Sequence, residues 1–168
     1  MKYTFLLFCF LLIILSASAQ TRGTAKLYGY VQSVMPGANL GVINEAGEEV
    51  PEKNPARKNY RIYAVSSSRI YPVEMWINGE PYSVKMDIIS TTPVVHGSET
   101  MGNRTELVPA TSQKVILLSP APYTETKNIG DVRSIASSNE LVLVYRQNGK
   151  FYYSALNELT QLEAAAMQ

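Results

Sequence analysis

His96 is the only histidine in the chain and sets the limit on what chemistry it can do. A nucleophilic triad needs an imidazole base beside a hydroxyl and a carboxylate, and His96, Ser98 and Glu99 supply those types within one short stretch. Side chains two apart in a loop need not meet, however, and nothing in the sequence resembles the strained strand-to-helix serine turn of hydrolases. Metal sites built from paired histidines cannot be assembled. Glu74, Glu80 and Asp87 could be considered as an acid and base pair of the glycosidase kind, but Lys85 stands among them and ordinary surface charge pairing accounts for the set. Glu48, Glu49 and Glu52 form an acidic cluster without the alternating ligands and glycine of a calcium loop. No glycine-rich phosphate loop or dinucleotide fingerprint occurs. The sequence therefore implies no cofactor and no metal. The enzymatic alternative is a small periplasmic or secreted hydrolase using His96 with a carboxylate brought near by folding.

Aromatic residues offer a different chemistry. Eleven tyrosines and a single tryptophan are present, and each offers a flat apolar body with a polar tip suited to sugars, peptides or protein partners. Tyrosine also favours strands, so most of them are expected to pack in a sheet. Trp76 is the exception, because it falls on an otherwise polar strand face near a turn. Glu74, Tyr82 and His96 join it as the expected ligand or partner contacts.

The elements that must position these residues begin at Tyr71 to Asp87, where two period-2 patterns flank Asn78-Gly79. Asn-Gly suits the positive φ angles of a type I′ turn, whose twist matches the strands it joins. The turn predicts the pairs Ile77 with Glu80, Met75 with Tyr82, Val73 with Val84 and Tyr71 with Met86. That register makes one face apolar and leaves Glu74, Trp76, Ser83, Lys85 and Asp87 on a face toward water. Leu141 to Ser154 repeats the device around Asn148-Gly149, with Tyr145 opposite Tyr152 and Val144 opposite Tyr153, but both of its faces are apolar.

Ala25 to Met35 reads as a strand that forms a first hairpin with Leu40 to Asn44, and Tyr60 to Val65 and Lys114 to Ser119 read as further strands. Over about 20 residues, the spacing of Gly29, Val31, Pro36-Gly37, Val42 and Gly47 resembles the opening of the regulatory-type β-sandwich domains found beside carboxypeptidases and on outer-membrane receptors. Val50 to Asn59 and Gly97 to Glu106 read as loops, and a short strand is expected near Val132 to Ile135. Leu156, Leu159, Leu162 and Ala166 recur at helical spacing, with Asn157 available as a cap, so a short C-terminal α-helix is expected to dock on the last hairpin.

Residues 1–19 have a basic Lys2, an apolar run from Phe5 to Leu15 and the small residues Ala17-Ser18-Ala19, the pattern of a signal peptide cleaved before Gln20. Cys9, the only cysteine, would leave with it, which excludes disulfides and thiolate chemistry in residues 20–168, read as a single domain. Removing Lys2 leaves 14 basic residues (15 minus 1) against 14 acidic, so no net field attracts nucleic acid or anionic lipid. The expectation is an all-β, antiparallel sandwich of immunoglobulin-like proportions with a C-terminal helix, or alternatively a half-open barrel. It would be exported to the periplasm or beyond the cell in soluble form, without membrane insertion. There it would act as a non-catalytic binding or assembly module through contact with a protein of the cell envelope or a glycan.

Overall fold

The computed structural model describes residues 21–34, 42–43, 49–50, 57–97, 104–123 and 132–165. The expected signal peptide, Ser98, Glu99, Glu48 and Glu52 lie outside them. The strands in chain order are β1 (Thr21–Arg22), β2 (Lys26–Val34), β3 (Val42–Ile43), β4 (Glu49–Val50), β5 (Arg57–Ser66), β6 (Tyr71–Ile77), β7 (Glu80–Ile89), β8 (Val94–His96), β9 (Thr105–Val108) and β10 (Lys114–Ala121). A short helix, α1 (Val132–Ala136), precedes β11 (Leu141–Gln147), β12 (Lys150–Leu156) and β13 (Thr160–Ala165). Nine strands form one sheet in the order β1-β12-β11-β6-β7-β10-β5-β2-β13, curled on itself as a half-barrel. The all-β class is as expected, and the half-open barrel is the arrangement adopted.

Both Asn-Gly turns form as their chemistry requires, with φ of 51° and 81° at Asn78 and Gly79 and of 49° and 77° at Asn148 and Gly149. Tyr145 faces Tyr152 and Val144 faces Tyr153, as the second turn predicts. At the first turn, Ile77 faces Glu80 and Met75 faces Tyr82, but the ladder between β6 and β7 ends there. The expected pairs of Val73 with Val84 and of Tyr71 with Met86 do not form. From Ser83 onward β7 pairs with β10 alone, while β6 keeps to β11 through a bulge at Val73, which has no opposite residue. Pro72 cannot donate to a ladder, and a bulge sharpens the local twist, so β6 turns away from β7 beside that proline.

The concave interior holds Leu27, Ile62, Ala64, Met75, Ile77, Leu118, Leu141, Leu143 and Tyr145, with Tyr82 and Val84 packed against them. Gly29 allows closure on the far side of the barrel. A Cβ there would lie 2.4 Å from Leu159 Cδ2 and 3.1 Å from Leu156 Cδ1, so only glycine lets β2 meet the leucines at and just after the end of β12 without displacing them.

Two insertions cover the outer faces. The β8–β9 hairpin, which occupies part of the stretch expected to be a loop, places Val94, Leu107 and Val108 against Tyr30, Tyr63, Val65 and Val115. Helix α1 packs Val132 and Ala136 onto Trp76, Val142 and Val144. This explains the two apolar faces of the last hairpin, one lining the interior and one under α1.

Several expectations are corrected. Val132 to Ile135 is helix and not strand. Of the expected strand Leu40 to Asn44, the described Val42–Ile43 does not pair with β2, since β3 pairs with β4 and β2 lies between β5 and β13. The expected loop at Val50 to Asn59 is already strand from Arg57. Among the described residues the expected C-terminal helix does not form, and β13 instead runs parallel to β2, with Thr160 facing Tyr30 and Leu162 facing Gln32. A stripe of three leucines supports only a marginal helix, whereas β13 covers the ladder groups along the free edge of the nine-residue β2. Glu140 fixes the change of direction, because its carboxylate accepts the Leu159 N–H at 2.7 Å.

Candidate functional site

The divergence of β6 and β7 leaves a gap in the barrel wall. Along β7 the side chains of Tyr82, Val84, Met86 and Ile88 share the concave face, as strand alternation requires. Tyr82 and Val84 reach the core. Met86 and Ile88 continue the same row past the point where β6 leaves, and they are 47% and 76% exposed. Tyr71, on the other lip of the gap, is 40% exposed and carries the Arg69 guanidinium 4.9 Å from its ring centroid. Lys85 and Asp87 occupy the opposite face of β7 and are also exposed. Exposed large apolar side chains beside a strand edge that has no ladder partner among the described residues form a surface suited to another extended chain.

The residues expected to make contacts are distributed differently. Trp76 and Glu74 do not stand on a face toward water. They are 8% and 5% exposed, because α1 covers their side of β6. Burial pushes the Glu74 carboxyl above its ordinary pKa, and the facing Trp76 indole offsets this in part. The approach falls outside hydrogen-bond geometry, since among the described residues Trp76 Nε1 and the nearby Tyr123 hydroxyl are both buried without a partner. Tyr82 is half-buried and belongs to the interior at the apex of the gap. The structure therefore brings Glu74 and Trp76 together under a helix, sets Tyr82 at the edge of the core, and holds His96 elsewhere.

His96 lies on β8, half-buried, with Nε2 3.4 Å from Gln32 Nε2. Gln32 is itself buried and donates to the Glu163 carbonyl at 2.9 Å. Burial, and then the Arg61 charge, lower the His96 pKa, which favours neutral imidazole. Among the described residues, the side-chain hydrogen-bond partner of His96 is this amide and not a carboxylate. The adjoining Tyr30 hydroxyl donates to the Leu107 carbonyl at 2.6 Å, and burial raises its pKa. This constellation ties the β8–β9 cover to the sheet.

A shallow cleft of about 340 Å³ lies at the tip of the first hairpin, lined by Asn78, Gly79, Ala136 to Glu140 and Asn157. Its one carboxylate, Glu140, is engaged with Leu159, and its backbone carbonyl accepts from Asn78 N at 2.8 Å. Among the described residues, no group of three His, Cys, Asp or Glu side chains could hold a metal ion, and no helix is long and apolar enough to cross a membrane.

Compared with known proteins, the chain matches no family model, no curated protein and no solved structure. The candidate site therefore rests on the geometry of β7. Met86 and Ile88 were missed as surface residues because alternation assigns them to the core face. The signal that could have found them is Pro72, which breaks the ladder that would have covered them.

Proposed function

We propose that this protein is an exported, non-catalytic module that binds or assembles with protein through the open edge of β7. The observation that carries this reading is the row Met86 and Ile88, exposed beside a strand edge that β6 has left. Export is supported by the leader pattern of residues 1–19, followed directly by β1 at Thr21. Protein contact is favoured over glycan contact because Trp76, the residue best suited to stack on a sugar, is buried under α1. The hydrolase reading lacks a comparable support, since Gln32 lies at His96 Nε2, the nitrogen that would have to face a nucleophilic hydroxyl.

A photo-reactive side chain introduced at Ile88, with a control at the exposed Glu158, tests the proposal in extracts of the source cells. The expected result is crosslinking to polypeptide at position 88 and not at 158. Absence of any crosslink at 88, or hydrolysis of a generic ester, peptide or glycoside panel that His96→Ala abolishes, would overturn it.

A further inference from the structure

We infer that the strand completing the open edge of β7 is β7 of a second copy of this chain, paired antiparallel about a two-fold axis at Met86. The inference rests on the contact surface proposed above and names its occupant.

The first support is the direction of the backbone groups. In a two-residue Asn-Gly hairpin the residues flanking the turn form a hydrogen-bonded pair, and hydrogen-bonded and non-hydrogen-bonded pairs then alternate. Ile77 with Glu80 is thus hydrogen-bonded, Trp76 with Pro81 is not, and Met75 with Tyr82 is again. The middle position suits Pro81, which has no N–H to give. Even-numbered residues of β7 therefore direct their N–H and C=O toward β6, and odd-numbered ones toward β10. The other side of the strand agrees independently. Pro120, which also lacks an N–H, faces Val84 in an unbroken register with β10, so this pair is non-hydrogen-bonded and Val84 points away from β10. Among the described residues the β6 ladder is missing beyond Tyr82, which leaves Val84, Met86 and Ile88 directing three donors and three acceptors outward.

The second support is that this edge is complementary to itself. Centred on Met86, an antiparallel copy sets Met86 against Met86, Val84 against Ile88 and Ile88 against Val84. Each is a hydrogen-bonded pair, and together they use all the outward groups. On the concave face these pairs join the apolar row of one copy to that of the other. Met86 is the adaptable residue at the centre. On the opposite face, Lys85 of each copy meets Asp87 of the other, in the non-hydrogen-bonded positions where side chains approach most closely. Lys85 and Asp87 are exposed, so both are available for these pairs.

No neighbouring register works as well. A two-fold at Lys85 or Asp87 puts like charges opposite each other, and one at Val84 or Ile88 separates Lys85 from Asp87. A two-fold between residues sets Met86 against a charged residue. The arrangement at Met86 is also isologous and closed, so each edge is consumed once and assembly stops at a dimer.

The charge pairs give the test. Lys85→Glu places Glu against Asp87 of the other copy, and Asp87→Lys places Lys against Lys85. In each single variant both pairs of the dimer become repulsive, which should raise Kd roughly tenfold as read by analytical ultracentrifugation. Mixed in equal amounts, the two variants form a heterodimer in which both pairs are again opposite in sign, so affinity returns close to that of the unmodified protein. The double variant Lys85→Glu/Asp87→Lys should recover as well. Both substitutions are at exposed positions, and unchanged thermal unfolding of the monomer confirms that each variant folds. A protein that sediments as a monomer throughout the micromolar range overturns the inference, as does a dimer indifferent to these changes. If such a monomer still crosslinks through position 88 to a different polypeptide, the contact surface stands and the second copy is wrong. If nothing crosslinks, both fail.

Discussion

Replacing Tyr145 by Phe removes one oxygen atom from the interior and strands one backbone donor. Tyr145 has no exposed surface, and its ring stacks on Tyr152 with centroids 6.0 Å apart. Its hydroxyl accepts the Ala25 N–H at 3.2 Å. Around that bond the start of the described chain is fastened to the last hairpin: Gly23 N donates to the Tyr153 carbonyl at 2.6 Å, and Ser154 Oγ donates to the Ala25 carbonyl at 2.7 Å. The hydroxyl lies tightly against Gly23, where a Cβ would fall 1.7 Å from it. Phe preserves the ring packing, so the cost is that of one buried N–H left unpaired, about 1–3 kcal/mol. For a chain of this size that corresponds to a fall in Tm of roughly 3–10 °C. Thermal and urea unfolding followed by circular dichroism measure it directly. Ala25→Pro removes the same donor at the entry to β2, where proline is tolerated, and provides a double-mutant cycle. In that background Tyr145→Phe should cost little. A loss below about 0.5 kcal/mol in the unmodified protein, or an equal loss in both backgrounds, would refute the assignment of the bond.

Two further predictions concern pH and have opposite signs. Burial raises the Glu74 pKa above its usual 4.5, so the folded state holds its proton more tightly; the stability this gives is complete below 4.5 and is lost as pH rises through the folded value. Glu74→Gln should therefore match the unmodified protein at low pH and exceed it in Tm at pH 7, and a lower Tm at pH 7 would contradict this account. For His96 the folded pKa lies below 6.5, so its contribution is complete above 6.5 and is lost as pH falls through the folded value. His96→Gln should flatten that decline when unfolding midpoints are compared between about pH 5 and 7, and an unaltered slope would count against the burial of the imidazole.

Local chemistry was legible wherever one residue type satisfied one backbone demand. Asn78-Gly79 and Asn148-Gly149 fixed two hairpins because their positive φ angles suit few other residues. Strand composition located β2 and β5, a continuous apolar run located β10, and the apolar pairs of the last hairpin held to its end. The candidate site was legible only in part. Lys85 and Asp87 were read on an exposed face, which is where they stand, but Met86 was assigned to the core and Trp76 and Glu74 to solvent.

What the sequence determined by itself was thus the class of fold and its turns. Tertiary structure decided which faces are covered and which edges are left open. Leu156, Leu159 and Leu162 recur at helical spacing, yet they fall at the end of β12, on the link after it and in β13, because the free edge of β2 takes up β13. The polar face of β6 became interior because α1, formed from a weakly patterned segment, lies over Trp76. The row of Met86 and Ile88 became surface because β6 follows β11 through its bulge instead of staying with β7. Periodicity records which side chains share a face. Whether that face meets water depends on a second element distant in sequence, whose arrival no local pattern encodes.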